Sequence, residues 1–72
     1  MDIFSKRLKE LRQFHAQTQK NVAQNIHIAE RNYIALEVGD SCPSVKTLIA
    51  LCEYFNVSAD YLLGLSDIKE RR

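Results

Sequence analysis

An all-α domain of five helices is what the sequence predicts, on three observations. In the longer segments apolar residues recur at steps of three and four. Ser, Thr and Gly stand where helices would begin and end, and no run shows the two-residue alternation of a strand. At 72 residues the chain makes one domain, near the size at which a single apolar core is only marginally sufficient without a partner chain, metal or disulfide.

The first segment, "IFSKRLKELRQF" from Ile3 to Phe14, places Ile3, Phe4, Leu8, Leu11 and Phe14 on one stripe and leaves Lys6, Arg7, Lys9, Glu10 and Gln13 outside. Thr18 is placed to cap a short second helix with Val22, Ala23 and Ile26 inward and Gln19, Lys20 and Gln24 outward. After only His27, Ile28 and Ala29, a third helix starts near Glu30 and stops at Gly39, a residue that suits the left-handed end of a helix. Tyr33, Leu36 and Glu37 share one side of it, while Glu30, Arg31, Ile34, Ala35 and Val38 share the other, so both sides invite a partner. Ser44 caps "VKTLIALCEYF", the most apolar segment and the expected centre of the core, with Val45, Leu48, Ile49, Cys52 and Phe55 facing inward. Ser58 caps the fifth helix, "ADYLLGL", which Gly64 ends. The domain is expected over 1–68, with 69–72 ("KERR") as a short basic tail. Two short helices joined by a tight turn, braced by a longer helix before and two after, describe a helix-turn-helix at helices 2 and 3.

The net charge of +1 hides an asymmetry. Residues 1–31 carry six Lys or Arg against three Asp or Glu, residues 32–68 carry Lys46 against five acids, and the tail is again basic. One end of the fold is thus suited to a polyanion and the other is not. Cys42 and Cys52 stand ten positions apart without a second pair or a histidine at zinc-ligand spacing, which predicts two free thiols in a reducing compartment and no metal or cofactor. No apolar run approaches the length of a membrane span, and "MDIFSKRLKE" lacks the apolar stretch of a signal peptide, so the chain is expected in the cytoplasm. His15 and His27 have no paired nucleophile and there is no glycine-rich phosphate loop; neither an enzyme nor a small-molecule substrate is expected.

At "TQKNVAQNIHIAERNYIALEVG" and "PSVKTLIALCEYFNVSADYLLG" the chain resembles the lambda-repressor-like helix-turn-helix family, the Xre group of bacterial and phage regulators. The likeness runs from about Phe4 to Asp67. It rests on Thr18-Gln19, Ala23, Glu37-x-Gly39, Pro43-Ser44 and the ending from Val57 to Gly64, taken together.

The resemblance implies that Gln19 braces the protein against a DNA phosphate and touches the edge of the reading helix. It also implies that Arg12 and Glu37 form a buried ion pair between helices 1 and 3. The third helix would lie in the major groove with Glu30, Arg31 and Asn32 towards the base edges. Arg31 suits a guanine, which it can bond at O6 and N7 together; Glu30 would accept from a cytosine amine or hold Arg31 in place. Lys20, Arg7 and Lys46 are the candidates for phosphate contacts.

The sequence departs from the family pattern at four places. His27 stands where the turn commonly has Gly, so either the turn holds a side chain in a left-handed conformation or its geometry differs. Ala29 stands where Ser or Thr usually caps the reading helix, a loss of about 0.5–2 kcal/mol. Ile34, Ala35 and Val38 are apolar at outward positions, suited to thymine methyl groups or to a protein. Asp40 stands where relatives often carry Lys or Arg near the DNA backbone.

The expected function is that of a sequence-specific DNA-binding regulator, a repressor, bound as a homodimer to a near-palindrome with half-sites about 34 Å apart. Tyr61, Leu62, Leu65 and Ile68 are the candidates for the dimer surface, although they equally suit the core. The alternative is a protein-interaction module or antirepressor that turns Ile34, Ala35 and Val38 towards a protein partner.

Overall fold

The computed structural model describes residues 2–71. Five helices follow in order: α1 Ile3–Phe14, α2 Gln19–Asn25, α3 Glu30–Val38, α4 Val45–Phe55 and α5 Ala59–Leu63. No strand occurs among the described residues. α1 packs against both α3 and α5, α2 packs on α3, and α4 packs on α5. The first helix is therefore the brace to which the helix-turn-helix and the C-terminal half are both attached.

The expected caps form. The side chains of Thr18, Ser44 and Ser58 accept from the backbone N–H groups of Asn21, Thr47 and Tyr61, each satisfying a donor that the first turn of a helix leaves free. Asp2 does the same for α1 through the Ser5 amide, a bond that holds its carboxyl below the usual range. Ala29 provides no side-chain cap to α3. Gly39 and Gly64 close α3 and α5 in the left-handed conformation, and Asn56 closes α4 in the same way.

The core gathers Phe4, Leu8 and Leu11 from α1, Val22 and Ala23 from α2, Tyr33 and Leu36 from α3, Leu51, Cys52 and Phe55 from α4, and Tyr61 and Leu62 from α5; Ile26 and Val57 complete it from the turns. Two expected stripes are shifted. Ile3 and Phe14 are exposed, and Val45 and Ile49 of α4 are exposed as well, whereas Leu51, which lay outside the predicted stripe, is fully buried. In both helices the apolar arc is wider than the surface that neighbouring helices cover. The residues at its flank, Ile3 and Phe14 in α1 and Val45 and Ile49 in α4, are left at the rim.

Ser5 is fully buried, and periodicity gives no sign of it. Its hydroxyl donates to the Leu36 carbonyl at 2.6 Å, thirty-one residues away. Leu36 lies in the last turn of α3, where carbonyls lack an intrahelical partner, so α1 caps the end of α3 from outside. Ser5→Ala should destabilise the domain by about 1–3 kcal/mol, the usual cost of stranding a buried acceptor. Urea denaturation would measure this, and a variant as stable as wild type would show the bond to be dispensable.

Arg7 is a correction. Instead of facing a phosphate, its guanidinium donates to the carbonyls of Tyr61 (2.5 Å) and Ser66 (2.7 Å) and to Asp67 Oδ1 (2.8 Å), and lies over the Tyr61 ring at 4.1 Å from the centroid. The orphan carbonyls around the end of α5 recruit it. The segment after α5 is also tied back by Ser58, whose N–H donates to the Lys69 carbonyl (2.8 Å) and whose hydroxyl donates to that of Ile68 (3.0 Å). Hydrogen bonding thus runs one residue past the boundary expected after Ile68.

Candidate nucleic-acid interface

The expected helix-turn-helix consists of α2, the turn Ile26–Ala29 and α3. Its turn is closed by backbone bonds from His27 N–H to the Gln24 carbonyl and from Ile28 N–H to the Ala23 carbonyl. His27 takes φ +63°, so the turn keeps the left-handed geometry with a side chain in place of glycine. Ile28, just ahead of the uncapped start of α3, packs against the core and anchors the entry that no capping side chain holds.

Beneath the pair of helices lies one charged network. Arg12 Nε donates to Glu37 Oε2 at 2.7 Å and its Nη2 to Glu37 Oε1 at 3.1 Å, a two-pronged pair between α1 and α3. Gln19 Nε2, from the first turn of α2, donates to the same Oε1 at 3.2 Å, and Arg12 Nη1 donates to the Gln17 carbonyl at 3.1 Å. Side-chain exposure is 14% for Arg12 and 2% for Glu37. Burial alone raises the Glu37 pKa, but the donors of Arg12 and Gln19, with the Tyr33 hydroxyl close by, outweigh it and leave the carboxyl below its ordinary value. The bond to Glu37 raises the Arg12 pKa in turn. Tyr33 Oη is buried near this carboxylate but not aligned with any partner among the described residues; burial first, and Glu37 second, push its pKa well up and keep it protonated.

The outer side presents the remaining candidates. Glu30, Arg31 and Asn32 are all exposed at the start of α3, and among the described residues no ion pair links Glu30 to Arg31. Lys20 on α2 and Lys46 on α4 are exposed as well. The apolar stripe is smaller than expected: Ile34 and Ala35 are half-buried, and only Val38, at 51%, is largely open. At the other end of the fold, Tyr61 and Leu62 are core residues (8% and 0% exposed) and cannot form a dimer surface, because α1 and Arg7 already cover that side of α5. Leu65 and Ile68 are exposed. Cys42 is exposed and Cys52 buried, both free. Among the described residues no grouping of side chains could hold a metal, and no helix is long and apolar enough to cross a membrane.

Sequence reasoning missed two contributors, Gln17 and Tyr54. Tyr54 Oη donates to Gln17 Oε1 at 3.0 Å and accepts from Asn25 Nδ2 at 3.2 Å. Neither residue is charged or set in a recognisable spacing, so only the fold brings them together.

A small α-helical domain with a helix-turn-helix braced by a buried ion pair defines the class. Residues 5–68 match the family described as the helix-turn-helix domain. The chain is 39% identical over 66 residues to the HTH-type transcriptional regulator ImmR of Bacillus subtilis (strain 168), covering 92% of this chain and 52% of that protein. It is 35% identical over 65 residues to the uncharacterized HTH-type transcriptional regulator YobD of the same bacterium, covering 90% and 58%. The crystal structure of a transcriptional regulator from Listeria innocua matches with a TM-score of 0.80 at 28% identity, over 85% of this chain and 57% of that one. The chain belongs to the lambda-repressor-like, or Xre, group of the helix-turn-helix family. It spans about half the length of the curated relatives it matches.

Proposed function

We propose that the chain is a sequence-specific DNA-binding transcriptional regulator, a repressor, that works in the cytoplasm and lays α3 in the major groove. The observation that carries this reading is the division of α3. Tyr33, Leu36 and Glu37 are locked into the fold, while the first turn, Glu30–Asn32, stands free at the end of the helix-turn-helix. With its side chains an α-helix is about 10–12 Å across, which suits a groove about 12 Å wide. The names of the relatives support the same reading.

In this arrangement Arg31 reads a guanine, and Glu30, Asn32, Ile34 and Ala35 complete the base-facing surface. Lys20, Gln19 and Lys46 contact phosphates; Arg7 does not take part. Two copies pair through a surface that includes Leu65 and Ile68, so that two α3 helices meet one face of the duplex.

Selection of binders from random duplexes at two salt concentrations tests the reading. A two-fold-symmetric motif containing a guanine in each half-site is expected. Arg31→Ala should then relax preference at that guanine, at a cost of about 1–3 kcal/mol, whereas Lys20→Ala should weaken all duplexes alike. Binding without any motif, or equal losses on every sequence from both variants, would refute it.

A further inference from the structure

We propose that Tyr54 is a positioning residue for DNA binding, a strut that sets the spacing between the helix-turn-helix and α4. This inference rests on the DNA-binding reading and adds to it a residue that touches no nucleic acid. One hydroxyl holds both ends of α2. Tyr54 Oη donates to the side chain of Gln17, which precedes the α2 cap, and accepts from Asn25, the last residue of α2. The Gln17 carbonyl in turn accepts from Arg12, so the strut joins the Arg12–Glu37 pair and reaches α3.

The shared core joins α2 to α4 from beneath, but towards solvent an open cleft of about 610 Å³, lined by the turn residues Ile26, His27 and Ile28 and by Lys46, Thr47 and Ala50 of α4, runs between them. Tyr54 stands at that cleft. Phosphate contacts fix the register of a protein on its duplex, and the two proposed here from lysine, Lys20 on α2 and Lys46 on α4, lie on the two elements that Tyr54 joins. Without the strut the two lysines would lose their fixed separation, and one contact would be made only at the expense of the other.

Tyr54→Phe tests this, because it keeps the ring that meets Phe55 edge-on (centroids 5.0 Å apart) and removes only the hydroxyl. Binding would be titrated on the duplex selected by the wild-type domain, over a range of salt, well below the melting temperature of each variant. About a tenfold loss of affinity is expected, with the slope of log K against log salt shallower by about one contact. Gln17→Ala should reproduce both changes, and the double variant should lose no more than either single. A purely structural hydroxyl would lower the melting temperature and leave affinity and slope unchanged; that result would overturn the assignment of Tyr54 alone. A wild-type domain that binds no duplex would overturn the DNA-binding reading and this inference with it.

Discussion

Arg12→Ala should destabilise the domain by about 3–5 kcal/mol, because it strands the Glu37 carboxylate in a site where only 2% of that side chain is exposed. A domain of 72 residues has a total stability on the order of 4–11 kcal/mol. The loss is therefore about half of the whole, and the melting temperature should fall by well over about 10 °C. The net worth of the pair is a different quantity, since replacing both partners with apolar residues removes the desolvation cost along with the attraction. Arg12→Met combined with Glu37→Leu should accordingly recover most of the stability lost in Arg12→Ala. The pair also predicts an acid limb. Glu37 has a folded pKa below its ordinary value near 4.5, so its stabilisation is complete above that pH and is lost as pH falls through the lowered folded value. Glu37→Gln should flatten stability against pH in this window. Urea titrations from pH 7 down to about 3 would read both effects; a cost for Arg12→Ala below about 1 kcal/mol would mean that the pair behaves as a solvated one.

Gly64→Ala should cost on the order of 2–5 kcal/mol, from two sources that can be separated. Gly64 ends α5 at φ +81°, where a side chain costs about 1–2 kcal/mol. A Cβ there would also overlap the Cγ2 of Ile3, at the start of α1. Ile is branched at Cβ and has few rotamers to retreat into, so relieving the overlap adds roughly 1–3 kcal/mol. The double variant Gly64→Ala with Ile3→Ala should recover the steric share, measured against Ile3→Ala alone, but not the conformational one. Gly39→Ala, where the nearest atom to a new Cβ is Ser5 Oγ at 3.6 Å, should show the conformational cost alone. Equal losses at Gly39 and Gly64 would refute the contact with Ile3.

These two effects differ in how far they can be read from the sequence. The glycine stops, the Thr18, Ser44 and Ser58 caps and the short turn between α2 and α3 are local signals, and each occurs where local chemistry places it. The partnership of Arg12 with Glu37 came from family resemblance rather than from spacing, and the structure supplies its geometry. Ser5, Arg7 and Tyr54 carry no such signal. The partners of Arg7 lie 54 to 60 residues along the chain, and a serine in an amphipathic helix looks like any solvated position. Arg7, read as a phosphate contact, in fact fastens the segment after α5, because that chain reversal leaves carbonyls that need a donor. Tyr61 and Leu62, read as a possible dimer surface, are core because that same side of α5 meets α1.

By itself the sequence determined that this protein is five helices, three of them begun by a Thr or Ser cap, with a helix-turn-helix in the first half, since helix limits and turns depend on residues within a few positions of one another. It also grouped Tyr33, Leu36 and Glu37 on one side of α3 but left both sides open to a partner, and the fold made that side the inward one. Tertiary structure alone decided which flank of each wide apolar arc is covered, and so left Ile3, Phe14, Val45 and Ile49 at the surface while burying Leu51. It also decided that Arg7 faces inward and that one tyrosine hydroxyl spans α2 from end to end. Periodicity fixes the direction in which a side chain leaves its helix; what it meets there depends on how the other helices are arranged.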